Sequence, residues 1–250
     1  MAYRTLVVIF AGGTGSRMQG AKIPKQFLMS GGKPIIAHTI SKFQEAPGVD
    51  GIVVVSIESG IPYLREVVEQ NGFSKVLSIV PGGETGQDSI FRGLDEIHRL
   101  GIADEDTVVL IHDGVRPLID APTIEACARS VRERGCTATV APVVETVIEE
   151  QDGKVVDVLD RSRCKLARAP QGFTFCELYQ AHLTARANGL HDFIDSVSMM
   201  AHFGYQIFTV DGPVDNIKIT TRRDYFSFKG FTDYNELSQF WSEGQAGTEG

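Results

Sequence analysis

The chain has 250 residues, enough for one sizeable α/β domain or two small ones, and its 42% hydrophobic and 22% charged residues are ordinary for a globular protein and exclude a disordered or fibrous chain. A formal net charge of -8 argues against a general nucleic-acid or anionic-membrane surface and leaves room only for local cationic pockets. Cys127, Cys136, Cys164 and Cys176 form no C-x-x-C pair, which argues against a zinc ribbon or disulfide framework; with no signal pattern and no membrane-spanning apolar run, a cytoplasmic protein is expected.

Residues 5–10 predict a first strand, an apolar run rich in β-branched residues. Directly after it comes Ala11-Gly12-Gly13-Thr14-Gly15-Ser16-Arg17-Met18, then Pro24-Lys25-Gln26. Pro34 to Phe43 reads as a helix with Pro34 in its first turn and Ile35, Ile36, Ile40 and Phe43 at helical spacing. Strands follow at Ile52–Ser56 and Val76–Val80, separated by a helix over 62–71, and Ser89 to Leu100 predicts a helix with Ile90, Leu94 and Ile97 on one face. Thr107 to Ile111 is a fourth strand ending in His112-Asp113, followed by a helix over 122–135 and a strand over Thr137 to Val143. Strands alternating with helices imply a mostly parallel sheet covered on both faces. Ligands bind beyond the carboxyl ends of such strands, where the Gly-rich run, Gly82-Gly83 and His112-Asp113 all fall.

Residues 144–168 break the rhythm. Glu145–Glu150 and Val155–Leu159 flank Asp152-Gly153, which predicts a β-hairpin arm whose apolar face needs a partner. Thr174 to Asn188 predicts a helix and Tyr205 to Val210 a strand-like run, and the Gly-, Glu- and Ser-rich tail from Ser242 reads as frayed. Residues 1–241 are expected to form a single domain.

The glycine run is the most informative feature. Its glycines permit a tight turn with close backbone approach to a ligand, and backbone N–H groups in such a turn make an anion-binding concavity. Arg17 and Lys25 add two cations, a set suited to a triphosphate. A dinucleotide fingerprint would require a third glycine where Met18 stands, and a P-loop would end in Gly-Lys-Ser/Thr, absent here. A plain strand-to-helix turn explains the glycines but not the paired cations.

With Gly82-Gly83-Glu84, Asp88-Ser89, His112-Asp113-Gly114-Val115-Arg116-Pro117, Ala169-Pro170-Gln171 and Asp215-Asn216-Ile217-Lys218-Ile219-Thr220 in that order, the chain resembles the CTP-dependent sugar-alcohol-phosphate cytidylyltransferases over about residues 5 to 228. That family includes the methylerythritol-phosphate and ribitol-5-phosphate cytidylyltransferases. The resemblance implies a Rossmann-like, glycosyltransferase-A-like nucleotidyltransferase fold with a projecting β-arm. It also implies a homodimer formed through the arm, Mg²⁺ as cofactor, and CTP and a polyol phosphate as substrates. Lys33-Pro34-Ile35-Ile36, Asp113–Pro117 and Asn216–Thr221 are nearer the ribitol branch, whose CDP-ribitol supplies surface polymers such as teichoic acid or capsule. The isoprenoid branch is the alternative.

By resemblance, Arg17, Lys25 and Lys218 are the catalytic cations. Ala11, Gly12, Gly13, Thr14 and Gly15 bind the nucleotide with Gly83, Glu84 and Ser89, which line the base pocket; Ser89 also suits a helix N-terminus. Asp113 is placed to contact the acceptor hydroxyls or Mg²⁺, Arg116 to pair with Asp113 or to bind the acceptor, and Asp215 is the second candidate Mg²⁺ ligand. Thr146 and Arg161 on the arm correspond to residues presented across the dimer, Arg163 being an alternative register. His112 is expected to pack rather than act as a base. Such transfer needs positioning and cations rather than a protein nucleophile, because the attacking phosphate is already ionised. Three departures stand out: Gly86 replaces a family arginine, and Ala169 and Ile194 replace two threonines that hold the acceptor phosphate. Neither side chain can hydrogen-bond a phosphate; Ser196, Arg168 and Lys165 are the candidate substitutes. A nucleotide binder without turnover and an NAD-dependent dehydrogenase are the rival classes.

Overall fold

The computed structural model describes residues 4–12 and 23–243, with side chains described as far as Tyr234. In chain order the strands and helices are β1 (Thr5–Ala11), β2 (Met29–Ser30), β3 (Lys33–Pro34), α1 (Ile35–Glu45), β4 (Gly51–Ser56), α2 (Ile61–Gln70), β5 (Val76–Pro81), α3 (Gly86–Leu100), β6 (Val108–Asp113), α4 (Ala121–Arg134) and β7 (Thr137–Pro142). There follow β8 (Val147–Gln151), β9 (Lys154–Leu159), β10 (Lys165–Thr174), α5 (Phe175–Ala187), α6 (Ser196–His202), β11 (Phe208–Asp211) and α7 (Arg222–Glu243).

Seven strands form one sheet in the order β11-β7-β10-β6-β1-β4-β5. All neighbouring pairs are parallel except those of β10, which runs antiparallel to both β6 and β7. Alternation along β1 feeds two cores. Val7 and Ile9 pack with Ile36, Ile40, Leu64 and Ile124 on one face, whereas Leu6 and Val8 join Leu94, Ile97, Leu178 and Met199 on the other. Each such fully buried aliphatic side chain contributes roughly 1.5–3 kcal/mol. The chain leaves β1 toward β4 and β5, then returns to place β6 on the opposite side of β1. The crevice beyond the carboxyl ends of β1 and β6 is therefore the topological switch point.

Several boundaries depart from expectation. Pro34 precedes α1 as its N-cap residue instead of occupying the first turn, because it still pairs with Met29 in the β2–β3 ladder. Helix α3 begins at Gly86 because Thr85 and Asp88 form a capping box, so Ser89 is not the helix start. The arm is shorter than 144–168, since Lys165–Ala167 already pair with Val140–Pro142 in β7. Strand β11 begins at Phe208, three residues later than the run from Tyr205, where it meets Thr137. Strand β10 and helices α6 and α7 were not predicted, and α7 extends through Ser242. The hairpin turn fits its residues: Asp152 and Gly153 both take positive φ, 51° and 78°, as a two-residue turn requires.

Candidate active site

The nucleotide side of the crevice is built from glycines that approach too closely for side chains. A Cβ on Gly12 would lie 2.6 Å from Ser89 Oγ and 3.4 Å from Gly82 Cα. The Gly82 N–H donates to Ser56 O at 2.8 Å, and the Gly83 N–H donates to Ser89 Oγ at 3.2 Å. Ser89, 2% exposed, donates in turn to Thr85 O at 3.0 Å. Its hydroxyl thus clamps the glycine loop to α3, with one acceptor lone pair uncommitted. Glu84 stands exposed at the tip of that loop. On the far side, Gln26 Nε2 donates to Ala11 O at 2.9 Å and fixes the helical turn Lys25–Phe27 to the end of β1, which places half-buried Lys25 beside the crevice.

Charge collects beyond β6. Asp113, opposite Phe10 in the sheet register, accepts from Arg116 Nε at 2.8 Å through Oδ2 and from Lys218 Nζ at 2.6 Å through Oδ1. Burial alone would raise the Asp113 carboxyl, but the charges of Lys218 and Arg116 and their hydrogen bonds outweigh it and hold the pKa at about 2. Lys218 arrives because its loop is tied down: the Ile219 N–H donates to Val115 O at 2.9 Å and Arg116 Nη1 to Asn216 O at 2.9 Å. The ammonium also stands 5.8 Å from the centre of the Phe10 ring. His112 is fully buried, its Nε2 3.0 Å from Arg116 O, and burial pushes its pKa down to about 4. The ring packs edge-on against Phe43 and meets the Arg116 carbonyl, which is the packing and hydrogen-bonding place expected of it.

Among the predicted site residues, Ala11, Gly12, Lys25, Gly83, Ser89, Asp113, Arg116 and Lys218 surround this end of the sheet, whereas Gly13, Thr14, Gly15 and Arg17 lie outside the described residues. Thr146 and Arg161 sit together at the base of the arm, where Arg161 donates to Val144 O at 2.9 Å. No hydrogen bond or ion pair among the described residues links either to Asp113 or Arg116 within the one chain. Asp215 is exposed, and its backbone carbonyl accepts the Ile217 N–H at 2.7 Å. The described residues contain no cluster of three metal-ligating side chains, and both Asp113 oxygens already hold cations. The described residues thus offer no all-protein Mg²⁺ cage, the kind of site that Mg²⁺ seldom uses.

Sequence reasoning assigned no role to Asn216, which is fully buried and joins the two halves of the crevice. Its Nδ2 donates to Ala169 O at 2.9 Å while its own carbonyl holds Arg116. The available signal was its place between Asp215 and Lys218 in the quoted motif. Gln171 likewise bridges β10 to α6, donating to Asp195 at 2.7 Å and accepting the Val197 N–H at 3.1 Å. Of the two hydroxyl-lacking positions, Ala169 is buried and Ile194 is 95% exposed.

The profile of the IspD family, 2-C-methyl-D-erythritol 4-phosphate cytidylyltransferase, matches residues 5–230. A ribitol-5-phosphate cytidylyltransferase of Streptococcus agalactiae serotype III is 44% identical over 235 residues, covering 94% of this chain and 98% of that protein. A 2-C-methyl-D-erythritol 4-phosphate cytidylyltransferase of Geotalea uraniireducens is 40% identical over 229 residues, 91% of this chain and 96% of that one. In fold, the chain is similar to the crystal structure of 4-diphosphocytidyl-2C-methyl-D-erythritol synthase from Anaerococcus prevotii, with a TM-score of 0.78 at 22% identity over 93% of this chain and 97% of that one. The crossed glycine loops and the Asp113-centred cations thus belong to a nucleotidyltransferase, and the chain is a member of the IspD family of cytidylyltransferases.

Proposed function

We propose that this cytidylyltransferase transfers the cytidylyl group of CTP to D-ribitol 5-phosphate, yielding CDP-ribitol and pyrophosphate. The observation that carries the reading is the Lys218–Asp113–Arg116 network beside the Gly12/Gly82 crossing, cations set next to a backbone cradle at the switch point. The ribitol acceptor rests on the 44% identity with a relative named for it. The 40% relative and the family profile favour 2-C-methyl-D-erythritol 4-phosphate as the second reading.

In the transfer, an oxygen of the acceptor phosphate attacks the α-phosphorus. A phosphorus–oxygen bond forms, the bond to the bridging oxygen breaks, and pyrophosphate leaves with the electron pair. The nucleophile is an ionised phosphate, so no protein base removes a proton. Gly12, Gly82 and Gly83 admit the nucleotide against bare backbone, while Lys25, Lys218 and, outside the described residues, Arg17 offset the charge that builds on the phosphates. Asp113 orients Lys218 and Arg116 without being consumed. Mg²⁺ would be carried on the CTP triphosphate as its counter-ion, where it would supply positive charge while keeping several of its waters.

The arm is the proposed dimer contact. Ile148, Val156 and Val158 are all exposed, and Ile148 pairs with Val158. A second subunit that covered them would bring Thr146 and Arg161 toward its acceptor site. The four free thiols suit a reducing cytoplasm. A competition assay tests the acceptor. Both polyol phosphates are supplied together with Mg²⁺ and CTP, and the products are separated by mass. CDP-ribitol in excess supports the reading; a predominant methylerythritol product transfers it to the second.

A further inference from the structure

Strand β10 brings one more cation to this end of the sheet. Its ladder with β7 pairs Ala167 with Val140 and Gln171 with Ala138, and the register shifts between them. Arg168, Ala169 and Pro170 therefore leave the regular pleat where Asn216 Nδ2 meets Ala169 O. Through Asn216 that bulge is joined to Arg116, Asp113 and Lys218. Asp113 spends one oxygen on each of its two cations, and Lys165, earlier on the same strand, pairs with Asp211 at 3.1 Å. The Arg168 side chain makes neither a hydrogen bond nor an ion pair among the described residues, and its Nε is buried without a partner. Burial and the nearby Arg116 charge both act against its protonated form. A guanidinium remains charged regardless, and its buried, unpartnered Nε is a donor that an anion would satisfy.

The geometry points to Arg168 as a specificity-determining residue that receives the phosphate of the acceptor alcohol, a phosphomonoester dianion, through charge-assisted hydrogen bonds. This rests on the cytidylyl-transfer reading of the site. The neighbouring Ala169 and the exposed Ile194 offer no hydroxyl, so the guanidinium supplies the donors that those positions lack.

Arg168→Met and Arg168→Lys test it in the full chain. With D-ribitol 5-phosphate as acceptor, Arg168→Met should raise the acceptor KM by about 10- to 100-fold, the loss of one charge-assisted contact, and leave the KM for CTP unchanged. Arg168→Lys should recover part of that loss. The melting temperature of the ligand-free protein should not fall in Arg168→Met, because an uncompensated charge is removed, but the stabilisation that inorganic phosphate gives the wild type should shrink. An unchanged acceptor KM would overturn the proposal, as would equal losses for CTP and acceptor. Should the wild type not turn over ribitol 5-phosphate, the acceptor reading fails separately. Calorimetry with inorganic phosphate then decides Arg168: weaker binding by Arg168→Met supports the assignment and equal binding overturns it.

Discussion

Asp113 holds two cations at 2.6 and 2.8 Å from a carboxylate kept ionised far below neutrality. Lys218 is the more exposed of the two and the one free to engage a phosphate without dismantling the loop, since Arg116 is also anchored to Asn216. Lys218→Met should therefore lower kcat by about 10²- to 10³-fold, the usual loss for one charge stabiliser. Circular dichroism should remain that of the wild type, and full activity would remove Lys218 from the transfer step. Lys218, Asp113 and Arg116 were each legible in the sequence as charged residues after strand-like runs. The Arg116–Asp113 pair, three residues apart, was one of the two readings open in the sequence; the arrival of Lys218 on the same carboxylate was not, because it depends on Asn216 and on backbone bonds between loops distant along the chain. Ser89 was legible as a site residue, but its work as a clamp on Gly83 follows only from the crossing of two loops.

At the scale of elements, the parallel strands and their helices could be read from apolar runs and helical spacing, because strands buried on both faces are continuous in sequence. Strand β10 could not. Pro170 and Gly172 speak against an interior strand, and only the irregular pairing with β7 accommodates them. The arm was legible because an Asp-Gly turn between β-branched runs needs no tertiary context. Its strands pair only with each other, and every residue of β9 is exposed. A two-stranded ribbon is marginal alone in water. The double substitution Val156→Glu/Val158→Glu should give a monomer in sedimentation while the isolated subunit stays folded, with turnover lost if the arm completes its partner's site. A dimer of unchanged stability would place the subunit contact elsewhere.

For the whole molecule, pH acts through buried imidazoles, of which His112 and His182 are shifted furthest and His38 in the same direction. Burial lowers both His112 and His182 to about 4, in His182 with help from the Arg186 charge. The ordinary value in an unfolded chain is 6.5. Between these values the unfolded chain binds more protons than the folded one, so stability falls as pH drops from about 6.5 toward 4. Above that window neither group contributes a slope. Asp113 adds a further loss at lower pH, between its ordinary 3.8 and about 2. Urea unfolding across this range should show midpoints that decline with acidification, and a flat profile would mean that these rings are protonated in the folded protein or reach solvent.

The most direct test of the account is pyrophosphate release from CTP and Mg²⁺ in the presence of D-ribitol 5-phosphate, with unphosphorylated ribitol as the control. The account predicts one pyrophosphate and one CDP-ribitol per CTP consumed, and none with ribitol, because the acceptor's own phosphate is the nucleophile. Pyrophosphate release with ribitol, or CTP binding without release on any polyol phosphate, would contradict it.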